Sequence, residues 1–380
     1  MKVMIVVTHL LGAGHLSRAA TLARAFVTAG HQALILSGGY AAPHLNFSGL
    51  SLVQLPPLAS NGTDFTCLLN GDGEIATPDY LAQRVAQVIE NVRESKPDVL
   101  ITELFPFGRR SLSTEFLGLL DASRSLAVKP LILASIRDIL APPSKRAKAV
   151  KAEEVLLEYY DGVLVHSDPS IIRLHESWPV SDKIIKLLYY TGFVAPDPAA
   201  EQPDAVGRGE VLVSAGSGSV GDALFECAVD AAKLSCLSWR FMVGGVNSNE
   251  RIEALQRRAG PLGKTIGPVR QDFRQMLTGA KASVSMCGYN TTMDLLQSGC
   301  PSVLVPFDDG GEVEQTLRSR ALSRLSAMKV IKTENLQADL LASAVDEVTA
   351  AGPRSPLGLK MDGARQSVEY VEKMITDHRV

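Results

Sequence analysis

The sequence predicts an α/β protein built from two doubly wound domains, each with a mainly parallel β-sheet. Three observations support this prediction: a length of 380 residues, short β-branched runs that alternate with helical patterns, and one proline-rich interruption near the middle. Chains longer than roughly 250–300 residues usually divide, because a single hydrophobic core stops growing at about that size. Alternating strands and helices are typical of parallel sheets, in which a helix connects each strand to the next.

The first half of the chain, residues 1–195, is predicted to form one domain. It opens with the apolar run VMIVVTHLL, which we interpret as a buried strand and not as a signal segment, because it leads into GAGH instead of a cleavage site. A helix over residues 15–29 has apolar or small side chains on one face and a C-cap at Ala29-Gly30. Strands are expected near residues 3–7, 33–37, 51–54, 98–102, 131–135, 162–165 and 186–190.

Residues 196–208, PDPAAEQPDAVGR, are predicted to be a linker because prolines alternate there with small polar residues. Strand–helix alternation then restarts, and residues 209–355 are assigned to a second domain. Residues 356–380 are helical in character and are expected to form a C-terminal helix that can pack back on the first domain. Strands of the second domain are expected near residues 210–214, 239–243, 264–266, 282–286 and 302–305.

The composition narrows the functional classes. A net charge of −3 gives no general attraction to nucleic acid or to an anionic membrane surface. The five cysteines form no C-x-x-C pair, which favours a reducing, cytoplasmic location over a disulfide framework or a structural zinc. No apolar stretch reaches the roughly 18–20 residues that span a bilayer, so any membrane contact is expected to be peripheral. The oligomeric state stays open.

The loop THLLGAGH, residues 8–15, is the first candidate ligand site. Ligands of open α/β sheets bind beyond the carboxyl ends of the strands, and Gly12 and Gly14 let the backbone approach a ligand closely. A dinucleotide fingerprint requires a third glycine where Ser17 stands, so NAD binding is disfavoured. The following helix places His15 at its positive end, which lowers the pKa of the imidazole and favours a base. An ordinary strand-to-helix turn is the alternative.

The second candidate site is the loop AGSGSVGD, residues 215–222. It satisfies G-x-G-x-x-G formally, but the next strand ends without the acidic residue that would hold an adenosine ribose. The lysine of a P-loop is also missing. We therefore expect a phosphate-facing loop in which Ser217 and Gly218 are the binding residues.

The segment from residue 283 to residue 315 is the third candidate site. A strand ends there, and GYNTT starts the next helix with backbone N–H groups and hydroxyls that suit an anion. An aspartate one turn further can reach a ribose diol, and a glutamate–glutamine pair after the next strand suits sugar hydroxyls. Ordinary turn and cap residues are the alternative. The binding residues expected here are Gly288, Asn290, Thr291, Asp294, Glu314 and Gln315.

This third segment resembles the donor-binding region of GT-B glycosyltransferases of family 28, the MurG-like group. The resemblance extends over most of the chain and includes the first loop ending in His15, the Gly-Ser loop and a strand–Gly–helix–acid–Gly-x-Pro run. It implies two Rossmann-like domains that face each other across a cleft, with a nucleotide-sugar donor bound mainly by the C-terminal domain. It also implies transfer of a hexose or N-acetylhexosamine from a nucleoside diphosphate sugar, UDP favoured, without a cofactor.

The resemblance assigns roles to individual residues. Asp294 stands where the family has a glutamate that binds the ribose, and Gly299-Cys300-Pro301 follows it. The glutamine that contacts the donor sugar corresponds to Gln315, with Glu314 beside it, and backbone contacts to the uracil base fall at Val269. The aspartate is shorter than the family's glutamate. The first loop, G-x-G-H-x-x-R, is closer to related proteins that include a nucleotide-sugar hydrolase.

An inverting transfer requires a base for the acceptor hydroxyl and groups that stabilise the departing diphosphate. His15 is the candidate base, because it is the only histidine in a glycine-rich loop at a strand end. Glu103, which ends the strand DVLITE, is expected to orient His15 or to bind the acceptor. The sequence contains no D-x-D motif, so no metal is expected.

The acceptor is left unidentified by the sequence. The segment LFPFGRR (104–110) either receives a lipid-linked or anionic acceptor at a membrane surface or is a partly buried loop with two solvated arginines. The segment SKRAK (144–148) is either a phosphate clamp or a solvated helix start. A nucleotide-sugar hydrolase and a 2-epimerase are alternatives on the same scaffold. A non-catalytic nucleotide-binding regulator is an alternative of another class, and a NAD-dependent oxidoreductase is disfavoured by the missing acidic residues.

Overall fold

The computed structural model describes residues 1–43, 45–61, 64–200, 202, 206–216, 218, 220–245, 247–308, 313–354 and 359–378. The chain divides into two compact units, each with its own sheet. Unit 1 consists of Met1–Ala195 and Lys360–Val380, and unit 2 of Pro196–Leu359. The predicted α/β class with two doubly wound sheets is confirmed.

One sheet forms the centre of unit 1. Its described strands are β1 (Lys2–Val7), β2 (Gln32–Gly39), β3 (Ser51–Asn61), β4 (Asp64–Leu69), β5 (Val99–Glu103), β6 (Leu131–Arg137), β7 (Gly162–His166) and β8 (Leu188–Tyr190). They lie in the order β4-β3-β2-β1-β5-β6-β7-β8, and all neighbours are parallel except β3 and β4. The direction of winding reverses between β1 and β5, and ligands of doubly wound sheets bind at this switch point.

Helices cover both faces of this sheet. Those that precede unit 2 are α1 (Gly14–Thr28), α2 (Pro78–Ser95), α3 (Ser113–Arg124), α4 (Arg146–Tyr159) and α5 (Asp182–Ile185). Successive side chains of β1 point to opposite faces, so Val3 and Ile5 share a core with α1 whereas Met4 and Val6 share a core with α2 and α3. Burial on both faces explains why β1 is an unbroken apolar run.

Unit 2 is built around a second sheet, whose described strands are all parallel. They are β9 (Val211–Ser214), β10 (Trp239–Val243), β11 (Ile266–Pro268), β12 (Ala282–Ser285), β13 (Ser302–Leu304) and β14 (Met328–Val330). The order β11-β10-β9-β12-β13-β14 is the 3-2-1-4-5-6 order of a Rossmann-type sheet, with its switch point between β9 and β12. The helices are α6 (Asp222–Leu234), α7 (Ser248–Ala259), α8 (Phe273–Gly279), α9 (Tyr289–Ser298), α10 (Glu314–Leu322) and α11 (Ala338–Ala351).

The chain returns to unit 1 with α12 (Gly363–His378). Val371 and Ile375 of this helix lie in the same buried core as Leu16 and Phe26 of α1. The last helix therefore closes one face of the sheet with which the chain begins. None of the described helices is both long and apolar enough to cross a membrane.

Two observed strands, β4 and β14, lie outside the predicted set. β4 pairs antiparallel with β3, with Ala59 opposite Leu69, and the sequence signal for this hairpin is the Asn-Gly pair at 61–62. β14 is an edge strand of only three residues, too short for its periodicity to be read from the sequence.

Candidate functional site

His15 and Glu103 meet at the carboxyl edge of the unit 1 sheet. His15 lies in the first turn of α1, directly after the glycine-rich loop, and Glu103 is the last residue of β5. Because β1 and β5 are parallel neighbours, their carboxyl ends lie side by side, and His15 Nδ1 is 2.9 Å from Glu103 Oε1. The Glu103 side chain is 1% exposed and that of His15 is 16% exposed. A buried carboxylate therefore backs an imidazole that is partly accessible.

Arg18 belongs to this site, although it is not among the predicted site residues. It follows His15 by three positions, so both side chains project from the same face of α1. Its guanidinium forms an ion pair with Glu103 and lies 3.1 Å from His15 Nδ1. The sequence signal is the spacing G-x-G-H-x-x-R, which places an arginine one turn from the histidine.

The other oxygen of Glu103 is held by β6. Ser135 lies opposite Glu103 in the β5–β6 pair, and its hydroxyl donates to Glu103 Oε2 at 2.7 Å. His166 Nε2 is 3.0 Å from Ser135 Oγ, and His166 Nδ1 is 2.8 Å from Thr191 Oγ1. Because Ser135 gives its single hydrogen to the carboxylate, its oxygen accepts from His166 Nε2–H. His166 is thus a buried histidine with both ring nitrogens hydrogen-bonded.

The surroundings of the pair determine its protonation. Burial lowers the pKa of His15 to about 3, against the raising influence of Glu103. Burial alone would raise the pKa of Glu103, but the charge of Arg18 and the hydrogen bond from His15 hold it well below its usual range. A carboxylate only accepts hydrogen bonds, so the neutral His15 donates its Nδ1–H to Glu103. The lone pair of the ring is then on Nε2, which can accept a proton.

Further positive charge lies at the same edge of the sheet. Arg109, in the segment after β5, donates from Nε to Thr8 O at 2.6 Å. Burial lowers the pKa of Arg109 to about 10, although Glu103 opposes this and Arg137 of β6 adds to it. The side chain of Arg109 thus fixes the loop that precedes His15, and a contact of this segment with the acceptor stays a prediction.

The two basic segments of the first domain line one cavity of about 230 Å³ within unit 1. Phe105, Leu117 and Val155 contribute to its apolar walls. No acidic residue occurs among the described residues that line it. This cavity suits a ligand that combines an apolar part with negative charge. The cations of its lining are Arg110, Lys145, Lys148 and Lys151.

The loop after β9 turns tightly at the carboxyl edge of the unit 2 sheet. Gly216 and Gly221 have φ values of +80° and +93°, and a Cβ on Gly221 would lie 2.5 Å from the Cβ of Ala215. Glycine is required at such positions. Gly218 is exposed, whereas Ser217 lies outside the described residues. Phosphate binding by Ser217 and Gly218 stays a prediction.

The start of α9 has the features of an anion site. It follows β12, the parallel neighbour of β9 across the switch point. Gly288 is the N-cap residue, and among the described residues no side chain caps the helix and no acidic residue lies in its first turn. A Cβ on Gly288 would meet no described atom within 4 Å, so the space there is open. Asn290 is exposed and Thr291 is half-buried. Backbone N–H groups at a helix N-terminus attract phosphate.

Asp294, the predicted ribose ligand, lies on the second turn of α9 and forms an ion pair with Arg274 of α8. Arg274 Nε is 2.9 Å from Asp294 Oδ1, and the side chains are 28% and 14% exposed. Arg274 also donates to Asp197 O at 2.6 Å and to Gln297 Oε1 at 3.0 Å. Burial raises the pKa of Asp294 to about 6, although Arg274 opposes the shift. The carboxylate is therefore ionised at neutral pH and becomes protonated in mild acid.

Glu314 and Gln315 connect the start of α10 to the turn after β12. Gln315 Oε1 accepts from the backbone N–H of Cys287 at 2.8 Å and from that of Phe307 at 3.2 Å. Glu314 is 8% exposed and binds Arg318 at 2.8 Å. Arg318 in turn donates to Cys287 O at 2.9 Å. The pair thus has a supporting role in the fold that the sequence does not indicate, and its contact with a donor sugar stays a prediction.

Val269 and the glycines of the first loop complete the predicted set. Val269 follows β11 and is 41% exposed. Its N–H donates to Val243 O at 3.1 Å, so its carbonyl oxygen is the backbone group that can meet a base. A Cβ on Gly12 or Gly14 would meet no described atom within 4 Å, which leaves room in front of α1. Among the described residues, no group of three or more His, Cys, Asp or Glu side chains could hold a metal ion.

Comparison with solved structures identifies the class of protein as the GT-B glycosyltransferase fold. MurG of Acinetobacter baumannii matches with a TM-score of 0.63 and 16% identity over 98% of this chain and 99% of its own. The calicheamicin glycosyltransferase CalG4 matches with a TM-score of 0.60 and 15% identity over 98% of this chain and 94% of its own. At these identities the likeness establishes the fold alone.

The second half of the chain is similar to a known sequence family. Residues 211–371 match the glycosyltransferase family 28 C-terminal domain. A relative from Bacillus cereus, UDP-N-acetylglucosamine–N-acetylmuramyl-(pentapeptide) pyrophosphoryl-undecaprenol N-acetylglucosamine transferase 1, is 27% identical over 135 residues. That match covers 36% of this chain, and the chain spans 37% of the length of this relative. Residues 211–371 are thus similar to the C-terminal domain of glycosyltransferase family 28, and the predicted resemblance to the MurG-like group is confirmed.

Proposed function

We propose that this chain is a glycosyltransferase that moves a hexose or N-acetylhexosamine from a nucleoside diphosphate sugar to an acceptor hydroxyl, with inversion and without a metal. The observation that carries the proposal is the His15–Glu103 pair at 2.9 Å, in a chain whose residues 211–371 match the glycosyltransferase family 28 C-terminal domain. A neutral imidazole oriented by a buried carboxylate is the arrangement that a general base requires.

Unit 2 binds the donor in this proposal. The N–H groups at the start of α9 take the diphosphate, next to the side chains of Asn290 and Thr291. Asp294 pairs with Arg274 through Oδ1, so Oδ2 accepts from a ribose hydroxyl. The carbonyl oxygen of Val269 accepts from the imide N–H of a uracil. UDP is favoured because the Bacillus cereus relative is named for UDP-N-acetylglucosamine.

Unit 1 supplies the base. His15 Nε2 removes the proton of the acceptor hydroxyl while the acceptor oxygen forms a bond to the anomeric carbon from the face opposite the diphosphate. The bond between the anomeric carbon and the diphosphate oxygen breaks, and the nucleoside diphosphate departs with the electron pair. The positive end of α9 stabilises the charge that develops on this leaving group. The proton stays on His15 until solvent removes it.

The acceptor is proposed to combine an apolar part with an anionic group. The 230 Å³ cavity of unit 1 has apolar walls, four cations and no acidic residue among its described lining residues. The acceptor in the name of the Bacillus cereus relative, a pyrophosphoryl-undecaprenol, has this character. A cytoplasmic location with peripheral membrane contact belongs to the same proposal, because such acceptors reside in a bilayer.

Thermal unfolding in EDTA with UDP, UDP-N-acetylglucosamine, UDP-glucose, GDP, dTDP or NAD tests the donor site. A ligand at one hundred times its dissociation constant adds about 2.7 kcal/mol of stability, which shifts the midpoint measurably. We expect a shift with a uridine ligand and none with NAD, and a smaller uridine shift in Asp294→Asn. A shift with NAD alone would refute the proposal.

Turnover separates the alternatives on the same scaffold. Release of free sugar from the donor without any acceptor identifies a hydrolase, whereas formation of a glycoside of an added amphiphilic alcohol, with release of the nucleoside diphosphate, identifies a transferase. A non-catalytic regulator would bind UDP but produce neither product.

Addition of Mg²⁺ to the EDTA-treated protein is expected to leave the rate unchanged, and a rate that requires the cation would contradict the metal-free transfer.

A further inference from the structure

We propose that Arg18 is a positioning residue: it holds Glu103 as the acceptor of the His15 Nδ1–H and thereby keeps His15 Nε2 as the nitrogen that takes a proton. The inference rests on the function proposed above and deepens it. Its basis is the convergence of two side chains, those of Arg18 and His15, on one carboxylate oxygen of Glu103. Arg18 forms an ion pair with Glu103 Oε1, His15 Nδ1 is 2.9 Å from the same oxygen, and the Arg18 guanidinium is 3.1 Å from Nδ1.

This geometry permits two positions for the proton of the neutral His15 ring. The two tautomers differ in whether Nε2 can act as a base. In the first arrangement, His15 Nδ1–H donates to Glu103 and the lone pair is on Nε2. In the second, Arg18 donates to Nδ1 and the proton is on Nε2, where it prevents the ring from acting as a base. The second arrangement places two acceptors, Nδ1 and a carboxylate oxygen, 2.9 Å apart. Because Arg18 has the carboxylate as a stronger partner, the first arrangement is favoured.

The charge of Arg18 also determines when His15 becomes a cation. The Glu103 and Arg18 side chains are 1% and 5% exposed, so their opposite charges balance each other with little screening. Without Arg18, the buried carboxylate would be balanced best by a second proton on His15. The imidazole would then be protonated at a higher pH and would lose its basic nitrogen there. Arg18 thus extends the working range of the base toward acid.

The other charged or titratable groups around His15 do not replace Arg18. Arg109 approaches from the segment after β5, and Arg137 and His166 lie further along the same sheet edge. Arg109 has the same sign of charge as Arg18, but its Nε donates to the carbonyl oxygen of Thr8. Ser135 and His166 form a neutral chain that supports Glu103 Oε2.

The test uses the full chain and ¹⁵N NMR of the His15 ring, assigned with His15→Gln and followed against pH. The wild type is expected to show the Nδ1–H tautomer and no titration of His15 above pH 5. In Arg18→Met and Arg18→Gln, the midpoint of the His15 titration should rise by at least about one pH unit, whereas Arg18→Lys should stay near the wild type. The matched control is Arg24→Met on the same helix, whose guanidinium donates to Asn46 O at an exposed site.

The rate profile provides the second readout. The acid limb of kcat in Arg18→Met, measured with saturating donor, should move up together with the NMR titration, so that the rate falls about tenfold one pH unit below the His15 midpoint of the variant and recovers at pH 8.5. A uniform loss of rate at all pH values would indicate a structural role only. The inference is overturned by an Nε2–H tautomer in the wild type, a result that depends on no variant. An Nδ1–H tautomer without turnover of any donor would keep the role of Arg18 and refute the proposed function.

Discussion

At the scale of single residues, the proposed chemistry depends on one nitrogen of His15. Burial lowers the pKa of this imidazole to about 3, so the ring is neutral and can accept a proton throughout the range from pH 5 to pH 8. We therefore expect the acid limb of kcat, measured with saturating donor, to lie below pH 5. His15→Gln should reduce the rate by about 10²–10⁴-fold at every pH, because proton removal by a positioned base contributes that much.

The affinity for UDP should not change in His15→Gln, since the proposed donor residues belong to unit 2. Isothermal titration measures that affinity, and the exposed His175→Gln is the matched control for the loss of a histidine. A weakened UDP affinity in His15→Gln with an unchanged rate would assign His15 to binding and not to proton removal.

Asp294 gives a second residue-scale prediction, with the opposite sign of pKa shift. Burial raises its pKa to about 6, so the carboxylate takes up a proton as the pH falls below 6. A protonated carboxyl is a weaker acceptor for ribose hydroxyls, and UDP affinity is expected to fall about threefold to tenfold between pH 7 and pH 5. Asp294→Asn should bind UDP more weakly than the wild type at pH 7 and show no such pH dependence. A wild-type affinity that is constant over this range would contradict the assignment.

Prediction from the sequence succeeds for residues whose chemistry is visible in their immediate surroundings. Glu103 is the last residue of β5, and His15 follows the glycine-rich loop after β1. Because β1 and β5 are parallel neighbours, their carboxyl ends lie side by side. Arg18 is only three positions from His15 on the same helix, so this spacing could have identified Arg18 as a site residue. Arg274 could not be identified in this way, because its pairing with Asp294 depends on how α8 packs against α9.

At the scale of elements, the turn between β12 and α9 is supported from α10. Gln315 Oε1 accepts from two backbone N–H groups, those of Cys287 and Phe307. Gln315→Ala removes this shared acceptor, and we expect a loss of about 1–3 kcal/mol in the free energy of unfolding. Gln315→Glu keeps an oxygen in the same place and should retain most of that stability. Urea unfolding measures both changes.

The same pair of variants distinguishes support of the turn from contact with the sugar. If the amide nitrogen of Gln315 donates to the donor sugar, Gln315→Glu should retain its affinity for UDP but lose affinity for UDP-N-acetylglucosamine. Equal affinities for the two ligands in wild type and variant would restrict Gln315 to the supporting role. The sequence could not reveal this support, because it joins residues 28 positions apart through side-chain geometry.

At the scale of the whole molecule, unit 1 contains both the first and the last part of the chain, and unit 2 contains the part between them. Unit 2 begins at Pro196, the first residue of the proline-rich segment whose composition already indicates a linker. The return of the C-terminal segment to unit 1 is not visible in local composition, because an amphipathic helix shows only that it has a buried face. Its partner is fixed by the apolar side chains of α1, with which Val371 and Ile375 share a core.

This return gives a prediction for folding. Val371 of α12 is fully buried in the core of unit 1, so Val371→Ala should reduce the stability of that unit by roughly 1–3 kcal/mol. UDP is proposed to bind unit 2 and should stabilise unit 2. Val371→Ala should therefore lower the midpoint of the unfolding transition that UDP does not shift, and calorimetry measures this midpoint. The affinity for UDP should stay that of the wild type. Lys373→Ala, an exposed change on the same helix, is the control and should alter neither transition. If UDP raised the same transition that Val371→Ala lowers, the two units would unfold together, and the stability of the donor site would depend on the last helix of the chain.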